Sequence, residues 1–519
     1  IMNIPIAFLP LKNYTNIVEG NALRLDWRYL HNPSAPDRTA IYAEKVNLMR
    51  VGEPTVHYGT IDLYTKELVQ NEPEIPKLQE VHYDYIMGNP PFVGYGMQSE
   101  RQKEDILLIY RDENGKHYKT AGKIDYVSAW YFKAAQFIQG KKTECAFVST
   151  NSITQGEQVA SVWKPVFERF CVQFDFAYKT FRWDSESTSK AHVHCVIIGF
   201  SCCGTEKSVV QKEKVIYDSD GNRQIVKNIN SYLCDADNIF LESRPKPICD
   251  VPYMTTGNRP ADGGHLIIES EEYDEFVNKE PGAVKFIKKL TGAEEFINNK
   301  KRYCLWLVGA DPAEIMKMPE VYKRVQLCRQ DRLKGAPDRQ KLADTPTIFR
   351  EIKNPEHYIV VPATSSEKRK YIPLGFMDDT TIPTNSAVII PNAALYEFGI
   401  LTSSVHMAWM RAVCGRLEMR YRYSKDIVYN NFPWPTPNDE PKKRIEQTAQ
   451  VILGARAKYP NSSLADLYDE ATMPQDLRKA HQENDKAVMK AYGFPIKMTE
   501  SECVAELFKL YQKLVSKKK

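Results

Sequence analysis

The apolar stretch Tyr83-Asp84-Tyr85-Ile86-Met87-Gly88 runs directly into Asn89-Pro90-Pro91-Phe92, and this junction constrains the fold more than any other part of the chain. Two consecutive prolines fix φ and bring no backbone N–H, so a strand arriving at Gly88 must end there in a rigid turn. In open α/β sheets, functional groups gather at the carboxyl ends of strands. Asn89, the Pro90 carbonyl and the Phe92 ring are thus presented together where chemistry is usually done. The exocyclic nitrogen of adenine is a poor nucleophile because its lone pair is delocalised into the ring. An Asn oxygen and a neighbouring backbone carbonyl, each accepting one of its N–H bonds, favour a more tetrahedral nitrogen, and Phe92 offers a face for stacking. The turn points to methyl transfer onto an amino group. The competing reading is an ordinary strand-terminating turn with Phe92 in the core.

From Asn16 to about Phe200, short apolar strands alternate with helical patterns, which predicts a mostly parallel α/β sheet. The candidate strands are Ile17-Val18, Tyr83 to Met87, Cys145 to Val148, Phe174 to Ala177, and His192 to Phe200. Apolar spacing between Asp125 and Ala135 predicts a helix starting at Asp125. The last two strands are close enough in sequence to pair directly as an antiparallel edge. Between Asn230 and Met254 the texture turns irregular, with Arg244-Pro245-Lys246-Pro247 as a linker. The stretch that follows, up to Asn431-Phe432-Pro433-Trp434-Pro435, reads as a separate α+β domain. From Lys442 onward Ile445, Ala449, Ile452 and Leu453 share one helical face, as do Val504, Leu507, Leu510 and Leu514. The expected domains are 1–240, 241–435 and 436–519, with no internal repeat.

Composition narrows the setting. A net charge of +4 is slight, so a nucleic-acid surface must come from local clusters of Lys and Arg. Eleven scattered cysteines without C-x-x-C spacing argue against a disulfide framework and a zinc site, and fit a reduced cytosol. No apolar stretch approaches the ~20 residues of a membrane span. No metal and no membrane partner are expected.

Further stretches carry a family likeness. They are Gly20-Asn21-Ala22-Leu23-Arg24-Leu25-Asp26-Trp27, Phe147 to Gln158, Phe181-Arg182-Trp183, Gly415-Arg416-Leu417, Tyr421-Arg422-Tyr423-Ser424, Asn430 to Pro435, Leu464 to Tyr468 and Leu477 to His481. With Asn89 to Gly94 they resemble the MmeI-like adenine-N6 DNA methyltransferases, type IIL restriction–modification enzymes that join methylation and DNA recognition in one polypeptide. The resemblance runs over essentially the whole chain. It implies a Rossmann-like class I methyltransferase sheet, then an α+β target-recognition domain and a C-terminal helical domain. It also implies S-adenosylmethionine as cofactor, double-stranded DNA as partner and a bacterial or archaeal cytoplasm. In such enzymes a Gly-rich loop and an acidic residue that hold the cofactor precede the Gly20-Asn21 segment. Neither is found in this sequence, and Gly94-Tyr95-Gly96 comes after the Asn-Pro-Pro-Phe turn, outside a strand–loop–helix context. The D-ExK nuclease domain of the family is missing too. The expectation is a chain cut inside the methyltransferase domain of a larger protein.

By the same resemblance Asn21 sits where an Asp or Asn contacts the adenine of the cofactor, with Asp26 in that role if the register is off by a few residues. The segment at Asp125 flanks the cofactor pocket, with Tyr126, Trp130 and Tyr131 mainly core. Phe181 or Trp183 forms with Phe92 the sandwich that receives a flipped adenine, a base that cannot be reached inside the duplex. Glu418 and Arg420, just before the Tyr-Arg-Tyr-Ser segment, read one C·G pair, Arg donating to guanine O6 and N7 and Glu accepting from cytosine N4. Arg416 and Arg422 complete the DNA-recognition set, interleaved with Tyr421 and Tyr423 as phosphate contact with groove insertion requires. Arg324, Arg329, Arg332, Lys334 and Arg339 are candidates for backbone contacts, and His192, His194 and His481 read as structural. Two alternatives stay open: methylation of another planar amine, such as cytosine N4, a ribosomal RNA base or a glutamine amide, and a DNA-recognition module that does no catalysis by itself.

Overall fold

Strand β1 (Tyr85–Gly88) stops immediately before Asn89-Pro90-Pro91, where backbone N–H groups and free φ angles run out. It lies parallel to β2 (Glu144–Thr150), with Tyr85 opposite Glu144 and Gly88 opposite Phe147. The computed structural model describes residues 20–29, 60–61, 68–69, 81–184, 192–203 and 213–518; the expected strand at Ile17-Val18 lies outside them. The chain divides into two compact units, one of 1–149, 165–175 and 197–211, the other of 150–164, 176–196 and 212–519.

The sheet that begins with β1 has six strands in the order β1-β2-β4-β3-β5-β6, where β3 is Val172–Asp184, β4 His192–Cys202, β5 Lys214–Tyr217 and β6 Arg223–Val226. β3 and β4 are neighbours, but they do not form the edge expected from their closeness in sequence. β5 adds in parallel to β3, Phe176 opposite Val215, and β6 returns antiparallel. The Asp218 carboxylate makes that return possible by accepting the amides of Asp220 and Asn222, an Asx-type turn.

In the first unit, helix α1 (Glu100–Ile109) opens on a capping box: Ser99 Oγ accepts from the Gln102 amide, and Gln102 Oε1 accepts from the Ser99 amide. Helix α2 spans Ser128–Phe137 and does not start at Asp125. The Asp125 carboxylate is used elsewhere, accepting the Tyr95 amide at 3.0 Å, so it holds the loop after the Pro-Pro turn instead of capping a helix. Tyr131 and Phe132 of α2 are fully buried, Tyr131 edge-on to Phe147 at 5.2 Å and Phe132 edge-on to Phe170 at 5.1 Å. Aromatic rings so placed pack α2 on the sheet.

The second unit contains α3 (Gly156–Arg169) in part and three further sheets. Their strands are β7 (Thr255–Thr256), β8 (Ile267–Glu269), β9 (Ile287–Thr291), β10 (Arg302–Leu305), β11 (His357–Pro362), β12 (Thr364–Ser365), β13 (Gly375–Asp378), β14 (Thr381–Pro383), β15 (Ala387–Pro391), β16 (Gly415–Leu417) and β17 (Arg420–Arg422). They are ordered β8-β10-β9-β14, β13-β11-β15-β7 and β12-β17-β16. Helix α4 (Pro319–Leu333) buries Val321 and Val325 in one core with Leu290 and Leu305 of the first of these sheets. Arg332 of α4 is fully buried and donates to the carbonyls of Pro260, Ala261, Leu342, Thr345 and Ile348. It is a structural cation saturated by backbone acceptors, which removes it from the candidate phosphate contacts.

Helix α5 (Ser404–Val413) leads into β16, and the chain ends in α6 (Asp439–Ala457), α7 (Gln475–Tyr492) and α8 (Glu500–Lys518). Ile445, Ala449 and Ile452 are buried on α6, and Val504 and Leu507 on α8, so the period-3.6 stripes face inward. Thr448 Oγ1 of α6 donates to Asn484 Oδ1 of α7 at 2.9 Å, and Asn484 Nδ2 donates to the Gly399 carbonyl. A buried pair satisfied in this way fixes the helix register as well as its burial.

Candidate active site

At the carboxyl end of β1 the Pro-Pro turn forms one wall of a cavity of about 580 Å³. Asn21, Ala22, Asn89, Pro90, Tyr126 and Trp130 are among the residues lining it. Asn89 is exposed and its side chain has no hydrogen-bond partner among the described residues, so both its amide groups are free for a substrate. The turn is held from behind: the Tyr126 amide donates to the Val93 carbonyl at 2.9 Å, beside the bond from Tyr95 to Asp125. Tyr126 and Trp130 stand edge to face, ring centroids 5.1 Å apart, and make an aromatic side to the cavity. Its volume is that of a pocket for a small molecule.

Asn21 reaches the cavity through a network centred on Asp105, whose residue is 1% exposed. One carboxylate oxygen of Asp105 accepts from Asn21 Nδ2 at 2.8 Å and from the Tyr126 hydroxyl at 2.7 Å; the other accepts from Arg24 Nε at 2.6 Å. Burial, reinforced by the bond to Asp105, raises the Tyr126 phenol above its usual range, so it stays a neutral donor. Asn21 Oδ1 accepts the Leu23 amide, so the side chain also closes its own turn. Below the same loop Lys133 of α2 donates to the carbonyls of Ala22, Leu23 and Leu25 at 2.5 to 2.9 Å. Burial presses the Lys133 ammonium down to about 7, against the pull of Asp26.

Asp26 does not line the cavity; its carboxylate is taken by Arg28 Nε and Nη2 at 2.9 and 2.6 Å, beside a separate 300 Å³ hollow bounded also by Lys133. Burial works against its ionisation, and the bonds and charge of Arg28 outweigh that and lower its pKa. Of the two cofactor-side alternatives, Asn21 is the one gathered with the turn. Asp125 is near the turn but serves its backbone.

Phe181 and Trp183 lie on β3, which runs on to Asp184. Two residues apart, they fall on one face of it, ring centroids 6.2 Å apart, with Trp183 48% exposed.

β16 and β17 form a hairpin in which Gly415 faces Arg422, Arg416 faces Tyr421 and Leu417 faces Arg420. Glu418 occupies its turn at φ +58°, a left-handed conformation that a non-glycine side chain rarely takes. Its carboxylate accepts from Arg420 Nη2 at 3.1 Å, and both side chains project into solvent. Arg416 lies over the Tyr421 ring at 4.6 Å and donates to the Met419 carbonyl, while Arg422 is exposed on the opposite strand. The four candidate DNA-recognition residues therefore share one hairpin.

Three family models match the chain: the MmeI DNA-methyltransferase domain over residues 2–218, the MmeI target recognition domain over 235–436 and the MmeI C-terminal domain over 437–518. The chain belongs to the MmeI family. DNA methyltransferase A of Bacillus subtilis (strain 168) is 40% identical over 436 residues, covering 83% of this chain and 48% of that protein. The solved structure of the type IIL restriction–modification enzyme MmeI in complex with DNA is 44% identical, with a TM-score of 0.76, covering 83% of this chain and 57% of that one. The chain thus spans about half the length of the curated relative it matches.

Within this family member two residues of the cavity framework escaped the sequence reading, Asp105 and Lys133. Each left a faint mark, a charge inside the Glu100–Ile109 helix and a lysine between Phe132 and Ala134. Both patterns are common on solvated helix faces, and only long-range bonds distinguish them.

Proposed function

We propose that this chain carries the target-activating and target-reading parts of a sequence-specific DNA adenine-N6 methyltransferase of a restriction–modification system. The observation that carries the reading is the Asn89-Pro90 turn at the end of β1, which opens on the same aromatic cavity as Asn21. S-adenosylmethionine supplies a methyl group on a sulfonium. On the protein side, Asn89 Oδ1 and the Pro90 carbonyl accept the two N–H bonds of the adenine amino group and turn its lone pair toward the donor. Positioning and hydrogen bonding of this kind need no proton relay in the attacking step. Phe92 offers a stacking face that offsets part of the loss of base stacking when adenine leaves the duplex. Tyr126 and Trp130 would flank the cofactor's adenine, and the loop at Asn21, tied down by Asp105 and Lys133, would meet its edge. Glu418 and Arg420 would read one C·G pair.

The test is incubation of the chain with tritiated S-adenosylmethionine and a duplex library, followed by nucleoside mass spectrometry. N6-methyladenine within one sequence context is the expected product. N4-methylcytosine or labelled protein overturns the adenine assignment, and specific duplex binding without methyl incorporation identifies a recognition module.

A further inference from the structure

A second cavity, of about 340 Å³, lies wholly within the second unit. Its walls come from all three family-matched segments: Lys179 and Thr180 from β3, Arg411 and Arg416 from the recognition segment, and Glu500 from α8. The charges there are unevenly spent. Glu500 is committed to Arg411, accepting from Nε and Nη2 at 2.7 Å each. Asp218 is turned into its own tight turn, where it accepts from the Asn222 side chain and amide. Lys179 is half-buried and has no hydrogen-bond or ion-pair partner among the described residues. Arg416 has the Tyr421 ring and one backbone carbonyl, and no carboxylate partner among the described residues. Two cations with no direct carboxylate bond among the described residues therefore face one hollow, which the Asp218 carboxylate also lines, with Thr180 and Ser219 beside them.

We propose that the Lys179–Arg416 cavity is a seat for one phosphodiester of the DNA backbone. The proposal rests on the DNA-binding reading above and adds to it a site distinct from the base-reading residues. The location supplies the reason. Arg416 is in the same hairpin as Glu418 and Arg420, so a phosphate held beside it fixes the register of the strand whose bases the hairpin tip meets. Phosphate contacts position a protein on the duplex, while base contacts specify sequence. A tetrahedral anion suits the set, with a point charge from Lys179, a planar fork from Arg416 and neutral donors between them.

The test compares Lys179→Gln with the unmodified chain by fluorescence anisotropy on a duplex carrying the methylated site and on a scrambled duplex, over a range of KCl. Loss of one phosphate contact lowers the slope of log affinity against log salt by about 0.9. The expected result is that drop, with the same factor of weakening on both duplexes, and recovery in Lys179→Arg, which retains the charge. An unchanged slope, or a loss confined to the specific duplex, overturns the phosphate seat while leaving the proposed function standing. An unmodified chain that binds neither duplex overturns both.

Discussion

Replacing Asp105 by Asn tests whether the loop at Asn21 is held by the network described above. The carboxylate now serves three donors with two oxygens, Asn21 and Tyr126 on one and Arg24 on the other. An amide has one acceptor oxygen. If that oxygen keeps Asn21 and Tyr126, the new NH2 group faces the Arg24 guanidinium, donor against donor. A bond to a charged group contributes about 1.5–3 kcal/mol. The Arg24 side chain is 33% exposed and already 3.8 Å from Glu104, so water and a second carboxylate recover part of it, and the net loss is about 2 kcal/mol. The readout is hydrogen exchange of a peptide spanning residues 20–28. The amides of Leu23, Arg24 and Leu25 all donate to Asn21 and report opening of that loop. At 1.4 kcal/mol per tenfold, about 2 kcal/mol means roughly 30-fold faster exchange. A peptide from α6 serves as the internal reference and should not change. Asp105→Ala should open the loop further, and adding Arg24→Gln to Asp105→Asn should recover part of the protection by giving the new NH2 an acceptor. Acceleration below about threefold, or equal acceleration of the α6 peptide, would refute the reasoning.

Asn89→Ala should lower methyl transfer roughly 10²–10³-fold, the usual cost of one preorganised hydrogen-bonding group, with duplex affinity within threefold of the original; a matched loss of binding would mean that the residue is structural. Glu418→Asn tolerates the left-handed turn at φ +58° while removing the carboxylate, so sequencing of methylated sites should show relaxed preference at one base pair by about 1–3 kcal/mol. Glu418→Val should instead destabilise the hairpin by about 1–2 kcal/mol, through its β-branched side chain in that conformation. Burial drives the His406 pKa down to about 3, with its Nε2 paired to the Tyr423 hydroxyl at 2.9 Å. Between pH 6.5 and that value only the unfolded chain takes up the proton, so stability falls as pH drops through this window, by about 2 kcal/mol at pH 5. In urea titrations His406→Gln should remove that share of the acid sensitivity between pH 7 and 5, and an identical pH dependence would contradict it.

Much of this molecule is written locally. Two prolines fix two φ angles whatever surrounds them, so the end of β1 and the display of Asn89 follow from a few residues. The stripes on α6 and α8 follow from a period that the helix itself imposes. The sheet's edge is not legible in the sequence because Val215–Tyr217 pairs with Phe176–Tyr178 across a long separation, and a short strand bearing a charge gives little sign of its partner. The helix start was misplaced for a related reason: Asp125 has the chemistry of a cap, and only the folded chain shows it bound to the Tyr95 amide. Asp105 meets Asn21 from 84 positions away and Lys133 meets Ala22 from 111, distances over which no pattern of neighbouring residues carries information. Local residue order settles which chemistry the turn can offer and which elements flank it. Tertiary structure decides which charges are spent inside the protein, as Arg332 and Asp26 are, and which have no partner among the described residues, as with Lys179, because pairing a charge depends on what the fold brings within about 3 Å of it.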